Sequence, residues 1–431
     1  MLIAHRIELN ATSAQVEYFR RACGTARFVW NWALAEWNRQ YDAGQRPNAL
    51  TLKKQFNALK YADHPWLKDI HRDAHAQPFR NLGKAWNRFF AEMKSGKDAH
   101  RPVFKKKGES RDSFYVANDK LIVDEIHVRL PVIGKVKLKE PPRFGGKIMG
   151  ATVSRDGTRW HLSLQQELEV CWIPRANRRN ITGVDLNVGE IVCSDGKRYE
   201  TPRPLLKARK RLTRLQRSVS RKVEAQKQRM GLSKETRVPK GTRLIASRNR
   251  EKASRRLAEQ YRKIKCIRND FTNKVTTSLS RENQALGIED LNVIGMTARA
   301  EGTVGRPGKN VRQKAGLNRA ILDVAFGEFR RQIQYKSAWY GTTLVEADRF
   351  FPSSKRCSRC REVNHALGLK DRSWTCARCN TTHDRDFNAS VNLEQVAGLP
   401  EAIGKVTPVR YDLGQSGGSG QEPVHVCVRQ G

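Results

Sequence analysis

The chain has 431 residues, with 82 Lys and Arg against 43 Asp and Glu, a formal charge of +39 and a pI near 10.3. That length holds two or three domains with a sizeable core, and that charge draws the chain to polyanions, nucleic acid foremost. A mean hydropathy of −0.68, no long apolar run and a start without a signal-peptide core argue against a membrane protein.

Residues 3–9 alternate apolar and polar and predict a short strand. Thr12-Ser13-Ala-Gln-Val-Glu17 predicts a capped helix start with acidic residues near its first turn. Helical patterning then runs to about residue 95, with Pro65 and Pro78 as turns or helix starts. Trp30, Trp32, Trp37, Trp66 and Trp86 fall here, mostly at helical spacing with other apolar residues, which favours core packing over base stacking. Arg20, Arg21, Arg27, Arg80 and Arg88 are candidate phosphate contacts. From about residue 102 the period changes to that of strands broken by Gly and Pro. A small antiparallel barrel is expected, with residues 1–10 as its first strand and the helices as an insertion.

A third region opens at Ile181-Thr-Gly-Val-Asp185-Leu, followed by a hairpin signal at Asp195-Gly196. Strand and hairpin resemble the start of an RNase H-like sheet. Long basic helices are expected over 203–280, interrupted near Gly231 to Gly241. Roughly a third of positions 203–265 are Lys or Arg with few acids between them, which points to phosphate contact. Arg209, Arg214, Arg217 and Arg221 are the candidates. Ala285-Leu-Gly-Ile288 is the next strand, Leu317 to Tyr340 a helix, and Thr342 to Ala347 another strand. Asp386 to Val396 closes the region as a helix. Beyond Gly398 the Gly/Ser-rich tail is expected to be disordered.

Nine cysteines are present, and Cys357, Cys360, Cys376 and Cys379 form two Cys-x-x-Cys pairs separated by 15 residues. This is the spacing of a closed, tetrahedral, structural Zn²⁺ site. The odd total and scattered positions of Cys23, Cys171, Cys193, Cys266 and Cys427 argue for a reducing compartment, with these five as small neutral residues. Glycine is favoured after the second cysteine of each knuckle, where φ is often positive; Arg361 and Asn380 stand there instead.

Asp185, Glu289 and Asp386 each sit at a strand end or helix start. Three carboxylates so placed can converge on two Mg²⁺ or Mn²⁺ ions, the arrangement that hydrolyses phosphodiesters. Asp290 and Asp384 are rivals for the second and third places. His383 is a candidate ligand or proton shuttle, with a supporting hydrogen-bonding role preferred.

Taken together, these motifs resemble TnpB, the OrfB-type family of bacterial insertion sequences related to type V CRISPR effectors. The resemblance rests on Arg21-Ala-Cys-Gly-Thr-Ala-Arg-Phe-Val-Trp-Asn31, Gly183-Val-Asp-Leu186, Ile288-Glu-Asp-Leu291 and Gln313-Lys-Ala-Gly-Leu-Asn-Arg-Ala-Ile-Leu322. It continues through Phe351-Pro-Ser-Ser354 with the cysteine quartet and His383-Asp-Arg-Asp-Phe-Asn-Ala-Ser-Val-Asn392. It implies a multi-domain α/β protein: a wedge barrel (1–10 and 102–180) carrying a helical recognition lobe (11–101). A RuvC-like nuclease (181–354 and 381–397) with a zinc insert (355–380) would follow, and the tail (398–431) lies beyond the resemblance. Asp185, Glu289 and Asp386 would be the catalytic acids. Guide RNA and double-stranded target DNA would be the partners, and the bacterial cytoplasm the location. Many members carry Gly two residues after the first acid; here Asn187 stands there. A transposase-type strand-transfer enzyme and a non-enzymatic nucleic-acid binder are the rival readings.

Overall fold

The computed structural model describes residues 2–96, 98–168, 180–236, 238–239, 244–300, 302, 305–368 and 370–398, with the backbone of 404–406 and 425–426. It divides into one unit built on residues 1–171 and another on 172–415.

The first unit opens with β1 (Leu2–Asn10), whose alternate residues Ile3, Ile7 and Leu9 are buried. Three helices follow: α1 (Ser13–Asp42), α2 (Ala49–Asp63) and α3 (Arg72–Lys94). Then come β2 (Ser113–Ala117), β3 (Ile122–Val123), β4 (His127–Leu130), β5 (Gly134–Leu138), β6 (Lys147–Asp156) and β7 (Arg159–Glu167). The strands pair in the order β2-β6-β7-β1-β5-β4-β3, all antiparallel. β1 thus lies inside the sheet, paired along its length with β7 from Leu2↔Glu167 to Leu9↔Trp160. Where a barrel is expected, no pairing joins β2 to β3 among the described residues, so the hydrogen-bonded sheet is open.

Thr12 caps α1 through a capping box closed by Gln15, which accepts the Thr12 N–H at 3.0 Å. The first turn itself holds no acid, and Glu17 follows directly after it. Pro78 sits in the interior of α3 rather than at its start. Trp30, Trp37 and Trp86 are buried between the helices, and Trp37 stacks on Trp86 with ring centroids 5.3 Å apart. Burying one such ring stabilises the unit by about 1.5–3 kcal/mol. Trp66 remains 42% exposed, so it alone of the five lies mainly outside this core.

The second unit contains β8 (Ile181–Leu186), β9 (Glu190–Cys193), β10 (Arg198–Glu200), α4 (Pro204–Gln228), α5 (Arg248–Glu282), β11 (Ala285–Glu289) and α6 (Val293–Met296). It continues with α7 (Val311–Val324), α8 (Phe326–Tyr340), β12 (Thr343–Ala347), β13 (Ser373–Thr375), β14 (Thr382–Asp384) and α9 (Arg385–Gly398). The main sheet runs β10-β9-β8-β11-β12, with hairpin pairs antiparallel and β8-β11-β12 parallel.

Side chains alternate across this sheet. Val184, Leu186, Leu286 and Ile288 face a core with Val275, Phe329 and Ile333 from α5 and α8. Gly183 and Gly287, paired in register, face α9 instead. A β-carbon on Gly287 would stand 2.1 Å from the Leu393 carbonyl oxygen. The glycines therefore let the helix backbone lie directly on the strands.

The helix expected over 317–340 is two helices, broken at Ala325, which takes the left-handed φ of 61°. Alanine carries no sequence signal for that conformation. Just before the break, buried Asp323 accepts the N–H groups of Leu205 (3.0 Å) and Leu206 (3.1 Å) and pairs with Arg268 at 2.9 Å. It thereby caps α4, whose own N-cap Arg203 offers no side-chain bond. Of the tail, only the strands Gly404–Val406, paired with β12, and His425–Val426, paired with β1, are described. The rest of that segment, with Cys171 and Cys427, lies outside the described residues. Among the described residues no helix is long and apolar enough to cross a membrane.

Candidate active site and metal centre

Strand alternation dictates where the acids fall. Asp185 follows Gly183 by two residues and Glu289 follows Gly287 by two, so both carboxylates lie on the α9 face of the sheet. α9 brings Asp386 to the same place in its first turn. Asp185 is 5% exposed. Burial pushes its pKa well above the usual carboxylate range, and the nearby charges of Glu289 and Asp386 push it further; the Asn187 amide and Arg385 oppose the shift. Glu289 is also raised, first by burial and then by Asp386, against a hydrogen bond from Ser353 and the charge of Arg385.

Each strand carboxylate has a neutral donor on one oxygen. The Asn187 amide donates to Asp185 Oδ2 at 2.5 Å, and the Ser353 hydroxyl donates to Glu289 Oε1 at 2.5 Å. The departure at Asn187 thus holds the first acid in place. Neither Ser353 nor Arg385 stands out in sequence, because both gain their role only when α9 docks. The glycine two residues before each strand acid is the signal that could have shown the shared face.

The two rivals are engaged elsewhere. Asp290 pairs with Arg330 at 2.5 Å and with Arg349 at 2.9 Å, and these arginines hold its carboxyl below the usual range. Asp384 accepts the Phe387 N–H at 2.8 Å, capping α9, and lies 3.3 Å from Arg198. Asp386 keeps a looser contact, 3.7 Å to Arg372.

The donor set fits hard divalent cations. Asp185 and Glu289 have raised pKa values, and Asp386 adds a third carboxylate beside them, so the group lacks positive charge.

The four cysteines form the closed counterpart. Their sulfurs all lie within 4.8 Å of one another, with Cys357–Cys379 at 3.6 Å and Cys360–Cys376 at 3.5 Å. Tetrahedral zinc at about 2.3 Å from each sulfur would set these edges at roughly 3.8 Å. The two knuckles match: Arg361 N–H donates to Cys357 O and Asn380 N–H to Cys376 O, each at 2.9 Å. Both Arg361 and Asn380 have positive φ, 67° and 54°, the conformation anticipated after the second cysteine. Hydrogen bonding with Thr381 pushes the Cys379 thiol down to about 6, whereas, against a backbone bond from Glu362, burial and the neighbouring thiols push Cys360 up to about 12. His383 lies 3.1 Å from Cys357 Sγ and against Trp374, so it supports the zinc cluster rather than the acids. Cys23 and Cys193 are buried, which pushes both thiols up, Cys193 to about 12; Cys266 is exposed.

Arg209, Arg214, Arg217 and Arg221 are exposed on α4 with no acidic partner among the described residues. Lys210, Arg214, Arg217 and Arg221 form one stripe by helical spacing, and Arg209 lies about 100° round from it. In the first unit the outcome differs. Arg20, Arg21 and Arg88 pair with Glu17, Asp69 and Glu92, and Arg27 is 15% exposed and paired with Asp112. Arg27 is therefore engaged within the fold. Arg80 has no such pair among the described residues and lines a cavity of about 640 Å³ with Lys53, Lys60, Arg72, Gln77 and Tyr115.

Three family profiles match the chain: a helix-turn-helix domain of IS605 OrfB proteins over residues 1–46, the IS605 OrfB "Probable transposase" over 161–300, and the Cas12f1-like TNB domain over 326–393. The "Putative RNA-guided DNA endonuclease InsQ" of Escherichia coli K12 is 32% identical over 395 residues, covering 91% of each chain. A "Putative RNA-guided DNA endonuclease" of Streptomyces pristinaespiralis is 31% identical over 438 residues, covering 97% of this chain and 96% of the relative. Among solved structures, a CRISPR-Cas12f ternary complex covers 88% of this chain at 15% identity with a TM-score of 0.33. CasPhi-2 (Cas12j) bound to crRNA and phosphorothioate-DNA covers 92% at 12% identity with a TM-score of 0.39. The chain belongs to the IS605 OrfB/TnpB family. Over residues 1–46 it forms β1 and one unbroken helix, α1, rather than a helix pair.

Proposed function

We propose that this chain is an RNA-guided, divalent-metal-dependent DNA endonuclease whose catalytic acids are Asp185, Glu289 and Asp386. One observation carries the reading: strand alternation and the docking of α9 gather these three acids, while Asp290 is held by Arg330 and Asp384 caps α9. The sheet order, with two antiparallel hairpin strands beside three parallel ones, supports an RNase H-like, RuvC-type domain. The relatives named as RNA-guided DNA endonucleases supply the substrate class.

Asp185, Glu289 and Asp386 would hold Mg²⁺ or Mn²⁺, which when bound supplies water activation and neutralises the leaving oxygen. Asn187 and Ser353 each engage one oxygen of a strand acid, and the other oxygen would be available to the ions. Burial excludes bulk water and strengthens every charge interaction within the site. The α4 stripe would follow a guide–target duplex by its phosphates. The basic cavity around Arg80, with an amide at Gln77, is suited to a duplex edge.

The test is to purify the protein from its native locus and sequence its RNA, then change only the guide segment. Cleavage should move to the new matching DNA and stop in EDTA. Site-specific cleavage by RNA-free protein, or joining of free 3′ ends in place of hydrolysis, would overturn the reading.

A further inference from the structure

Ser353 is 4% exposed and donates to Glu289 Oε1, and its own position is fixed from α9. Its carbonyl accepts from Asn392 Nδ2 at 2.8 Å, and the Arg356 carbonyl accepts from Asn392 at 2.6 Å and Asn388 at 2.8 Å. Both asparagines are essentially fully buried and lie four residues apart, on one face of the helix that starts with Asp386. Rotating the Asn392 amide would set its oxygen against two carbonyl oxygens, so the donor orientation is dictated. Asn388 Oδ1 accepts the N–H of Ser358, which stands inside the first zinc knuckle, and Gln395 donates to the Ser358 carbonyl at 2.8 Å. The segment 353–358 is therefore held at one end by the acid site and at the other by the cysteine site, with α9 gripping it between.

We infer that Ser353 is a positioning residue for Glu289, and that the zinc knuckle fixes Ser353 through Asn388 and Asn392, linking zinc occupancy to affinity for the catalytic cations. This rests on the reading of Asp185, Glu289 and Asp386 as the divalent-metal site. Glu289 has three side-chain torsions and ends a strand, so its carboxylate needs an external hold to meet Asp386. Ser353 occupies one oxygen and leaves Oε2 for the ions. Partners of this kind shift metal affinity by about 10–100-fold. Zinc would act here without touching substrate, by keeping the turn at 356–358 in the shape that the asparagines clasp.

The experiment is Mn²⁺ titration of the full-length protein–RNA complex, read by loss of the free Mn²⁺ spectroscopic signal, alongside zinc analysis. Ser353→Ala should weaken Mn²⁺ binding about 10–100-fold at unchanged zinc content and RNA binding, and Ser353→Thr should restore it. Stripping zinc from the wild type should weaken Mn²⁺ binding similarly, with little further effect in Ser353→Ala. Asp185→Ala separates the two ideas. If Asp185→Ala loses Mn²⁺ and Ser353→Ala binds it as the wild type does, the positioning role is overturned alone. If Asp185→Ala keeps Mn²⁺ binding intact, the underlying site assignment fails. Additive losses from zinc removal and Ser353→Ala would overturn the link through the knuckle.

Discussion

A β-carbon on Gly183 would stand 1.9 Å from the carbonyl oxygen of Ser390, closer than any real contact. Strand β8 and helix α9 therefore meet backbone to backbone, two residues before Asp185 and four after Asp386. Gly183→Ala should push α9 off the sheet and separate the acids. We expect a loss of about 2–4 kcal/mol of stability in denaturant unfolding, in the range of overpacked and strained core sites, and cleavage at least tenfold slower. A variant with wild-type stability and rate would show that α9 adjusts freely.

The carboxylates can be told apart by single substitution. Asp185→Ala, Glu289→Ala and Asp386→Ala should each lower the cleavage rate by about 10³-fold or more, on the scale of lost transition-state electrostatics, with nucleic-acid binding nearly unchanged. Asp290→Asn should keep cleavage, because Asp290 is spent on Arg330 and Arg349. Asp384→Ala should cost about 1 kcal/mol as a lost helix cap without abolishing the reaction. Quenched-flow cleavage with filter binding measures both effects. Full activity in Asp386→Ala would move the third role to Asp384.

Acidity offers an independent check. The folded pKa values of Asp185 and Glu289 are raised above those of the unfolded chain. The metal-free protein therefore has their full contribution at pH below the ordinary carboxylate range and loses it as pH rises through the raised values. Asp185→Asn should remove part of that loss and raise the metal-free Tm at pH 7–8 by roughly 2–4 °C, for a change of about 1 kcal/mol. Added Mg²⁺ should stabilise the wild type and not the variant. Calorimetry across pH 4–8 tests this, and a variant less stable than wild type at pH 8 would contradict it.

The unpaired arginines on α4 should act through phosphates. Replacing Arg214, Arg217 and Arg221 with Ala together should reduce the log–log salt slope of nucleic-acid binding by about 2.7, from roughly 0.9 per duplex phosphate contact. Arg27→Ala should leave the slope unchanged and lower stability, since its guanidinium is bound to Asp112 at 3.0 Å. Binding isotherms over a salt series distinguish the two.

Much of this protein is legible from residue order because its signals are local. The cysteine spacing fixes two knuckles by short-range backbone geometry, and even the positive φ at Arg361 and Asn380 follows from position alone. Alternation around Gly183 and Gly287 fixes which strand residues share a face, so Asp185 and Glu289 are marked together in the sequence. The basic run of α4 is likewise visible in residue order. What depends on distant partners could not be read that way. Asp290 and Glu289 are neighbours in sequence, and only Arg330 and Arg349, brought in by α8 and the turn after β12, draw one of them away. Asp384 becomes a cap and His383 a support for Cys357 because α9 starts where it does. Arg27 looks like any exposed cation until the sheet supplies Asp112, and Ser353 like any loop serine until α9 presses it against Glu289. The sequence by itself determined which groups carry charge, thiol or helix-forming character. Tertiary structure decided their partners, because electrostatics and hydrogen bonding act across a few ångströms of space regardless of separation along the chain.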